Sequence, residues 1–462
     1  MKKKLVVTMV ALFVLALSFA LVPKKANAIP AFAQKYHFSC AVCHTVFPNL
    51  NPFGRAFWRN GFRLPGTNGT PADATQITEG LSLPNPWPIP VMVEPIISYQ
   101  HTTNENVSNA TDAFGASVDI VDAGAFKLYT PLADSISFYV HYGFSAGKGA
   151  INGKQIFASI NGLGSGFGVA PHLFNLKLGQ VTTASPYFYR QAPFYLPSGP
   201  VVNGQGLVVG YDGENGALIH SRNAGFALYG TPGYHLWYKV SVTNDGAGSG
   251  TALSSSGDNA MEYSYQLKEY APIPMGQLEF GYYGATVAEP IGGAAAWTNR
   301  VMVNGVDVDL ANDVYELGLT YMVQSDSNPY ANNTSISGGY PNVSGTSNGY
   351  STIEAYGRYI LPVMNNGIML SADYAAYSWT HKDLQEEFQN FENGVTNGCQ
   401  DGSLYQSGVY PEVNGGCNEG ISYALALQAT INLAYNAHLY LGYTITNKDQ
   451  DNLLGTGLDF AF

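Results

Sequence analysis

The segment "SISFYVHYGF" at residues 135–144 decides the fold, because its side chains alternate in character from one residue to the next. One face carries Ile136, Phe138, Val140, Tyr142 and Phe144, and the other carries Ser137, Tyr139, His141 and Gly143. A period of two residues predicts a β-strand with one apolar and one polar face. Similar alternation recurs at 173–180, 234–242, 276–287, 315–323, 352–361, 367–379, 421–433 and 438–446.

The connections between these segments distinguish a membrane barrel from a soluble β-sandwich, which would show the same period. Tight turns such as "PLAD" (131–134) alternate with long polar loops such as 326–349. This alternation is typical of an outer-membrane barrel. We therefore predict an all-β fold, an outer-membrane antiparallel β-barrel of about sixteen strands within residues 91–462. The count includes two weakly patterned strands near 205–212 and 296–305.

Composition and the N-terminus agree with an exported barrel. Only 12% of residues are charged, whereas the chain has 52 glycines, 32 tyrosines and 23 phenylalanines, which suits strands that face lipid. The net charge of −12 argues against nucleic acid as a partner. Residues 1–28 combine a basic start, an apolar run and an Ala-x-Ala ending, which predicts a secretory signal peptide, with an uncleaved anchor as the alternative. We expect the protein to lie in the outer membrane of a Gram-negative bacterium, with lipid around the barrel.

A different chemistry is indicated by "FSCAVCHTVF" at residues 38–47. A Cys-x-x-Cys pair serves as a redox dithiol, as half of a zinc site or as a haem tether, and only the tether uses a histidine directly after the second cysteine. A structural zinc site needs two more ligands, and the other cysteines lie far downstream. We predict one covalently bound haem c, attached to Cys40 and Cys43, with His44 as the proximal iron ligand.

The haem segment, residues 29–63, is too short to bury a core of its own. A proline-rich linker at 64–90 separates it from the barrel, so we expect it to plug the lumen or cap the periplasmic mouth. Within it, "NPFGRAFWRNGF" (51–62) predicts a helix with Asn51 as N-cap and Gly61 as the stop. Arg55 and Arg59 share one face and are candidates for contacts with the haem propionates, with a solvated basic face as the alternative.

The sixth iron ligand is left open by the sequence. No methionine lies between His44 and residue 91. Strand parity points Met92, His141 and His438 into the lumen, and each is a candidate ligand. The alternative for each is a lumen-lining polar residue or a packed methionine.

The string "PAFAQKYHFSCAVCHTVFPNLNPFGRAFWRNGF" (30–62) resembles the fused monohaem cytochrome c–porin family, the outer-membrane cytochromes of iron-oxidising bacteria. The resemblance implies an oxidoreductase that takes electrons from extracellular Fe(II), passes them through a barrel-enclosed haem and delivers them to a periplasmic cytochrome c or similar carrier. The alternatives are an electron conduit with another donor or outward direction, and a haem-gated porin or transport channel.

No set of Asp, Glu and His has the regular sequence spacing of a dedicated iron site. Four acids in one long loop, Asp383, Glu386, Glu387 and Glu392, are candidates for gathering Fe(II), although such residues usually just keep a loop solvated. Cys399 and Cys417 follow, and outside the cytoplasm we expect them to form a disulfide that closes this loop.

Overall fold

The structure is a computed structural model, and it describes the strands, the short turns and most of the N-terminal segment. The described residues are 30–46, 49–64, 75–78, 81–83, 91–102, 112–128, 130–145, 151–182, 222–244, 261–291, 297–327, 348–361, 367–379, 421–434, 437–446 and 453–460. The predicted signal peptide and the loop with Cys399 and Cys417 lie outside them.

The N-terminal segment contains two short helices and a small hairpin. Helix α1 (Pro30–Tyr36) is followed by a 3₁₀ turn (Cys40–Val42), strands β1 (His44–Val46) and β2 (Asn49–Leu50), and helix α2 (Pro52–Arg59). Helix α2 begins as the sequence predicts, because the Asn51 side chain accepts a hydrogen bond from the Gly54 amide at 2.9 Å. It ends before Gly61, whose φ of +67° favours glycine. The linker holds a further hairpin of β3 (Thr75–Thr78) and β4 (Leu81–Leu83).

Sixteen strands form a closed antiparallel barrel, so the predicted fold class and strand number are confirmed. Each strand pairs with the next along the chain, and the last pairs with the first. They are β5 (Met92–Thr102), β6 (Asp112–Lys127), β7 (Ser135–Ser145), β8 (Ile151–Asn161), β9 (Asn175–Thr182), β10 (Arg222–Gly230), β11 (Leu236–Asn244), β12 (Met261–Ile273), β13 (Gly276–Ile291), β14 (Trp297–Ala311), β15 (Tyr315–Asp326), β16 (Asn348–Leu361), β17 (Ile368–Trp379), β18 (Ile421–Ala434), β19 (Ala437–Thr446) and β20 (Leu453–Phe460).

The two weakly patterned segments have different outcomes. The segment near 296–305 lies in β14, one of the longest strands of the barrel. The segment 205–212 lies outside the described residues, and β9 pairs directly with β10 from Asn175↔Tyr229 to Thr182↔Arg222. The strand predicted at 205–212 therefore stays a prediction.

The outer face of the barrel is apolar and the inner face is polar, as the alternation predicts. On β12 the side chains of Tyr263 and Leu267 are 55% and 44% exposed, whereas the intervening Glu262, Ser264 and Gln266 are buried. Tyr139 and His141 of β7 are likewise buried inside. A closed ring leaves no unpaired strand edge, and an apolar exterior suits lipid. Among the described residues, no helix is long and apolar enough to cross a membrane.

The N-terminal segment lies inside the lumen. The ammonium group of Lys35 donates to the carbonyl of Ala125 on β6 at 2.7 Å, and Arg59 and Arg63 reach side chains of β13 and β9. Residues 30–64, hereafter the plug, thus contact several parts of the ring.

The plug shares one hydrophobic core with the barrel wall. Phe32, Phe57 and Phe62 of the plug cluster with Tyr139 and Phe157 of the wall. The rings of Phe32 and Phe57 meet edge to face with centroids 5.0 Å apart, a favourable arrangement for aromatic pairs. Because the plug is too short for a core of its own, the wall supplies the missing apolar surface.

Candidate functional site in the barrel lumen

The C-x-x-C-H turn is held by the residue that caps helix α2. The side-chain amide of Asn51 donates to the carbonyls of Ala41 and Val42 at 3.2 and 3.0 Å, while its backbone N–H donates to the carbonyl of Cys43 at 2.9 Å. Its side-chain oxygen meanwhile caps the helix. One asparagine therefore ties the turn that carries Cys40, Cys43 and His44 to the start of the helix.

Gly54 allows the helix to approach this turn. A Cβ atom at position 54 would lie 2.1 Å from the carbonyl oxygen of Cys43, far inside van der Waals contact. A glycine within a helix costs roughly 0.5–1 kcal/mol relative to alanine, so its presence in α2 reflects this close packing. The helix and the C-x-x-C-H turn are thereby joined as one unit.

His44 lies near a second histidine that belongs to the barrel wall. His438 of β19 is only 3% exposed, and the two imidazoles are close enough to interact electrostatically. The Nδ1 atom of His438 is 2.8 Å from the side-chain oxygen of Asn432 on β18. An amide oxygen only accepts, so Nδ1 carries the proton and Nε2 carries the lone pair, the arrangement found in metal-ligating histidines.

All three candidate distal ligands point inward, as strand parity predicts, but they lie in different surroundings. Met92 is 1% exposed and packs in the hydrophobic core shared by plug and wall. His141 is fully buried, with its Nε2 atom 2.9 Å from a carboxylate oxygen of Asp119. His438 is the candidate that the structure brings toward His44.

Arg55 lies at the centre of an ion-pair network between plug and wall. Its Nη1 atom is 2.8 Å from Asp309 and 3.5 Å from Glu279, and its Nη2 atom contacts Glu316. Burial lowers the pKa of Arg55, but the carboxylates of Asp309 and Glu279 outweigh it and leave this pKa above its usual value. Arg358 of the wall shares Glu316. The guanidinium of Arg55 therefore stays charged inside the barrel.

Arg59 extends the same network. Its Nη2 atom is 2.9 Å from Glu279, and its guanidinium carbon lies 4.4 Å from the centre of the Tyr270 ring. Arg55 and Arg59 are 1% and 2% exposed, so the solvated basic face considered from the sequence is wrong. Their contact with haem propionates stays a prediction, since both guanidinium groups contact carboxylates of the barrel wall.

Several residues of this interface were not identified from the sequence. Arg63 donates to Asn175 at 2.8 Å and to the carbonyl of Pro171 at 3.0 Å, and burial lowers its pKa. The wall acids Glu279, Asp309 and Glu316 were also missed. In the sequence, each of them is recognisable only as an acidic residue at an inward-facing strand position. Any barrel with a polar lumen has such residues, so the pattern does not identify an ion-pair partner.

Other predicted sites lie outside the described residues. These are the acidic loop with Asp383, Glu386, Glu387 and Glu392, and the cysteines Cys399 and Cys417. Their disulfide and the gathering of Fe(II) by the loop stay predictions.

Known proteins similar to this chain are found among solved structures. No protein-family model matches it, and no curated protein matches it. Similar solved structures include OprB of Pseudomonas putida, with a TM-score of 0.48 and 10% identity over 80% of this chain and 93% of that chain. OmpF of Salmonella typhi has a TM-score of 0.47 and 11% identity, covering 81% of this chain and 97% of its own. A variant of OmpT, an outer-membrane protein of Vibrio cholerae, that lacks loop L8 has a TM-score of 0.45 and 11% identity, covering 81% of this chain and 98% of its own.

Proposed function

We propose that this protein is an outer-membrane c-type cytochrome that carries electrons from extracellular Fe(II) to a periplasmic carrier through one haem held in the barrel lumen. The observation that carries the proposal is the proximity of His44, from the C-x-x-C-H turn of the plug, to the buried His438 of the wall, close enough for the two imidazoles to interact electrostatically. One histidine comes from the plug and one from the barrel wall, so a metal centre bound by both would lie where plug and barrel join.

The residues present fit a haem c. Cys40, Cys43 and His44 lie within five residues, the spacing that covalent attachment requires, and the first of them begins the 3₁₀ turn Cys40–Val42. The Nδ1 proton of His438 is engaged by Asn432, which gives the tautomer in which a histidine binds iron through Nε2. Cys40 and Cys43 would form the thioether links to the haem, and His44 and His438 would ligate its iron. Haem supplies reversible one-electron chemistry when it is bound.

The rest of the protein holds this centre in position and insulates it. Asn51 and Gly54 hold the C-x-x-C-H turn against helix α2. Arg55 and Arg59 hold the helix on the wall, and the aromatic cluster around Phe57 excludes water from the plug. A rigid, dry setting reduces the reorganisation that a charge change on the centre would cause. A plug anchored in this way favours electron transfer over solute passage.

The barrel favours a second candidate, a haem-gated porin or transport channel, because a ring of sixteen strands encloses enough space for a channel. An electron conduit with another donor, or with outward flow, uses the same residues. These alternatives differ in measurable ways, since a channel passes ions and a conduit passes electrons.

Anaerobic stopped-flow absorbance of the oxidised protein mixed with Fe(II) tests the main proposal. We expect rapid and saturable reduction of the haem, with ion conductance in planar bilayers far below that of an open barrel of this size. Prompt reduction by dithionite without reduction by Fe(II) would move the donor elsewhere. Large, steady conductance would favour the channel.

A further inference from the structure

Three inward-facing residues on adjacent strands form a compact cluster of metal-binding groups. Glu94 of β5, Asp119 of β6 and His141 of β7 each offer a donor atom, and these atoms all lie within 4.8 Å of one another. All three side chains are fully buried. Among the described residues, this is the one group of at least three His, Cys, Asp or Glu side chains with such spacing.

The register of the barrel builds this cluster. Glu94 stands directly opposite Asp119, and His141 stands opposite Val121, two residues further along β6. Direct and diagonal cross-strand neighbours on one face lie within side-chain reach. Because the three residues come from three separate strands, no short sequence motif predicts the cluster.

The chemistry of the cluster suits a first-row divalent cation. Carboxylate oxygens and an imidazole nitrogen are the donors that Fe(II), Mn(II) and Zn(II) accept in proteins. Two carboxylates also carry the charge that neutralises a dication. Burying two carboxylates this close together is costly unless their charge is compensated, and a bound dication compensates both at once.

A fourth donor lies beside the cluster. Gln155 of β8 stands directly opposite His141 and is 1% exposed. Its side-chain nitrogen is 3.4 Å from the Thr182 hydroxyl, whereas its carbonyl oxygen is buried and has no hydrogen-bond partner. A buried amide oxygen left in this way costs free energy, and a side-chain carbonyl is an accepted ligand for hard cations. Gln155 is therefore an independent sign that a ligand belongs here.

We infer that Glu94, Asp119 and His141, with Gln155 beside them, form a binding site for a first-row divalent cation in the barrel lumen. The site is distinct from the predicted haem position, yet it is near. His438 pairs with Asp459, and Asp459 pairs with Ile96, two residues after Glu94. With a strand spacing of about 4.8 Å and a rise of about 3.4 Å per residue, the Cα atoms of His438 and Glu94 lie on the order of 12 Å apart.

This proximity suggests that the cation is the substrate Fe(II), bound beside the centre that oxidises it. That identification rests on the proposed function, whereas binding of a divalent cation does not. The competing explanation is a purely structural ion pair between Asp119 and His141.

Mn(II) binding to the haem-loaded, full-length protein in detergent tests the site. Free Mn(II) gives a six-line electron paramagnetic resonance spectrum at room temperature, and its loss counts the bound ions. We expect one Mn(II) per wild-type molecule and at least tenfold weaker binding for Glu94→Gln, Asp119→Asn and His141→Asn. The matched control is Glu262→Gln, which removes a buried lumen carboxylate that lies near Lys239 and should bind as wild type.

The outcomes separate this inference from the proposed function. Absence of Mn(II) binding at millimolar concentrations, or unchanged binding in all three variants, would overturn the site even if Fe(II) reduces the haem. Mn(II) binding without reduction by Fe(II) would keep the site and overturn the proposed function. If the variants do not fold, the X-ray absorption spectrum of Mn(II) bound to the wild type decides. Oxygen donors with one imidazole support the site, and a spectrum of hydrated Mn(II) refutes it.

Discussion

Replacing Arg55 by methionine should loosen the plug from the barrel wall. The buried network contains three cations, Arg55, Arg59 and Arg358, and three carboxylates, Glu279, Asp309 and Glu316. The network is therefore neutral in the native protein. Arg55→Met leaves two cations against three carboxylates, with one negative charge uncompensated in a site that excludes water.

The expected magnitude follows from that charge. Removing one partner of a buried ion pair typically costs about 3–5 kcal/mol. At 1.4 kcal/mol per factor of ten, undocking of helix α2 becomes about a hundredfold to several thousandfold more frequent. Amide hydrogen exchange of residues 52–59, followed by mass spectrometry, measures this opening directly. Peptides from β13 serve as the internal reference, since the barrel itself should keep its protection.

Two further variants test the reasoning. Arg300→Gln changes an exposed arginine and should leave exchange unaltered. The double variant Arg55→Met/Asp309→Asn restores neutrality and leaves the pairs Arg59–Glu279 and Arg358–Glu316 in place, so it should recover more than half of the lost protection, because the unpaired charge is removed. Exchange in Arg55→Met within threefold of the wild type would refute the proposed anchoring. Failure of the double variant to recover protection would refute its electrostatic origin.

Three other predictions concern the plug and the haem. His438→Ala should convert the ferric haem spectrum from low spin toward high spin, whereas His235→Ala, an exposed histidine, should not; an unchanged spectrum in the first variant would reject His438 as a ligand. Gly54→Ala should speed amide exchange of α2 at least tenfold, because its methyl group would collide with the carbonyl of the C-x-x-C-H turn, while Gly357→Ala, which has more space, should not. Burial raises the pKa of Tyr36 to about 12, so the folded plug keeps the phenol proton between pH 10 and 12 and loses stability as the pH rises through that range. The difference in absorbance titration between wild type and Tyr36→Phe should show this late ionisation, and a midpoint near 10 would contradict it.

Much of the fold was predictable because a β-strand records its environment locally. The alternation in "SISFYVHYGF" follows from the pleat, which turns successive side chains to opposite faces, and the same rule placed Met92, His141 and His438 inside the barrel. Helix α2 was predictable for the same reason, since Asn51 and Gly61 act on neighbouring backbone groups. The direct pairing of β9 with β10 was not predicted, because a weak local pattern does not reveal which strands pair.

The features of the candidate sites likewise differ in whether they depend on neighbouring or on distant residues. The sequence alone determined the alternating strands, the short helix and the C-x-x-C-H motif, because each depends on residues within a few positions of one another. Only the tertiary structure decided that Arg55 meets Asp309, 254 residues away, that His438 lies near His44, and that Glu94, Asp119 and His141 converge. Closure and register of the ring set these distances, and both depend on all sixteen strands together. Contacts across a lumen therefore leave no periodic trace in the chain that forms them.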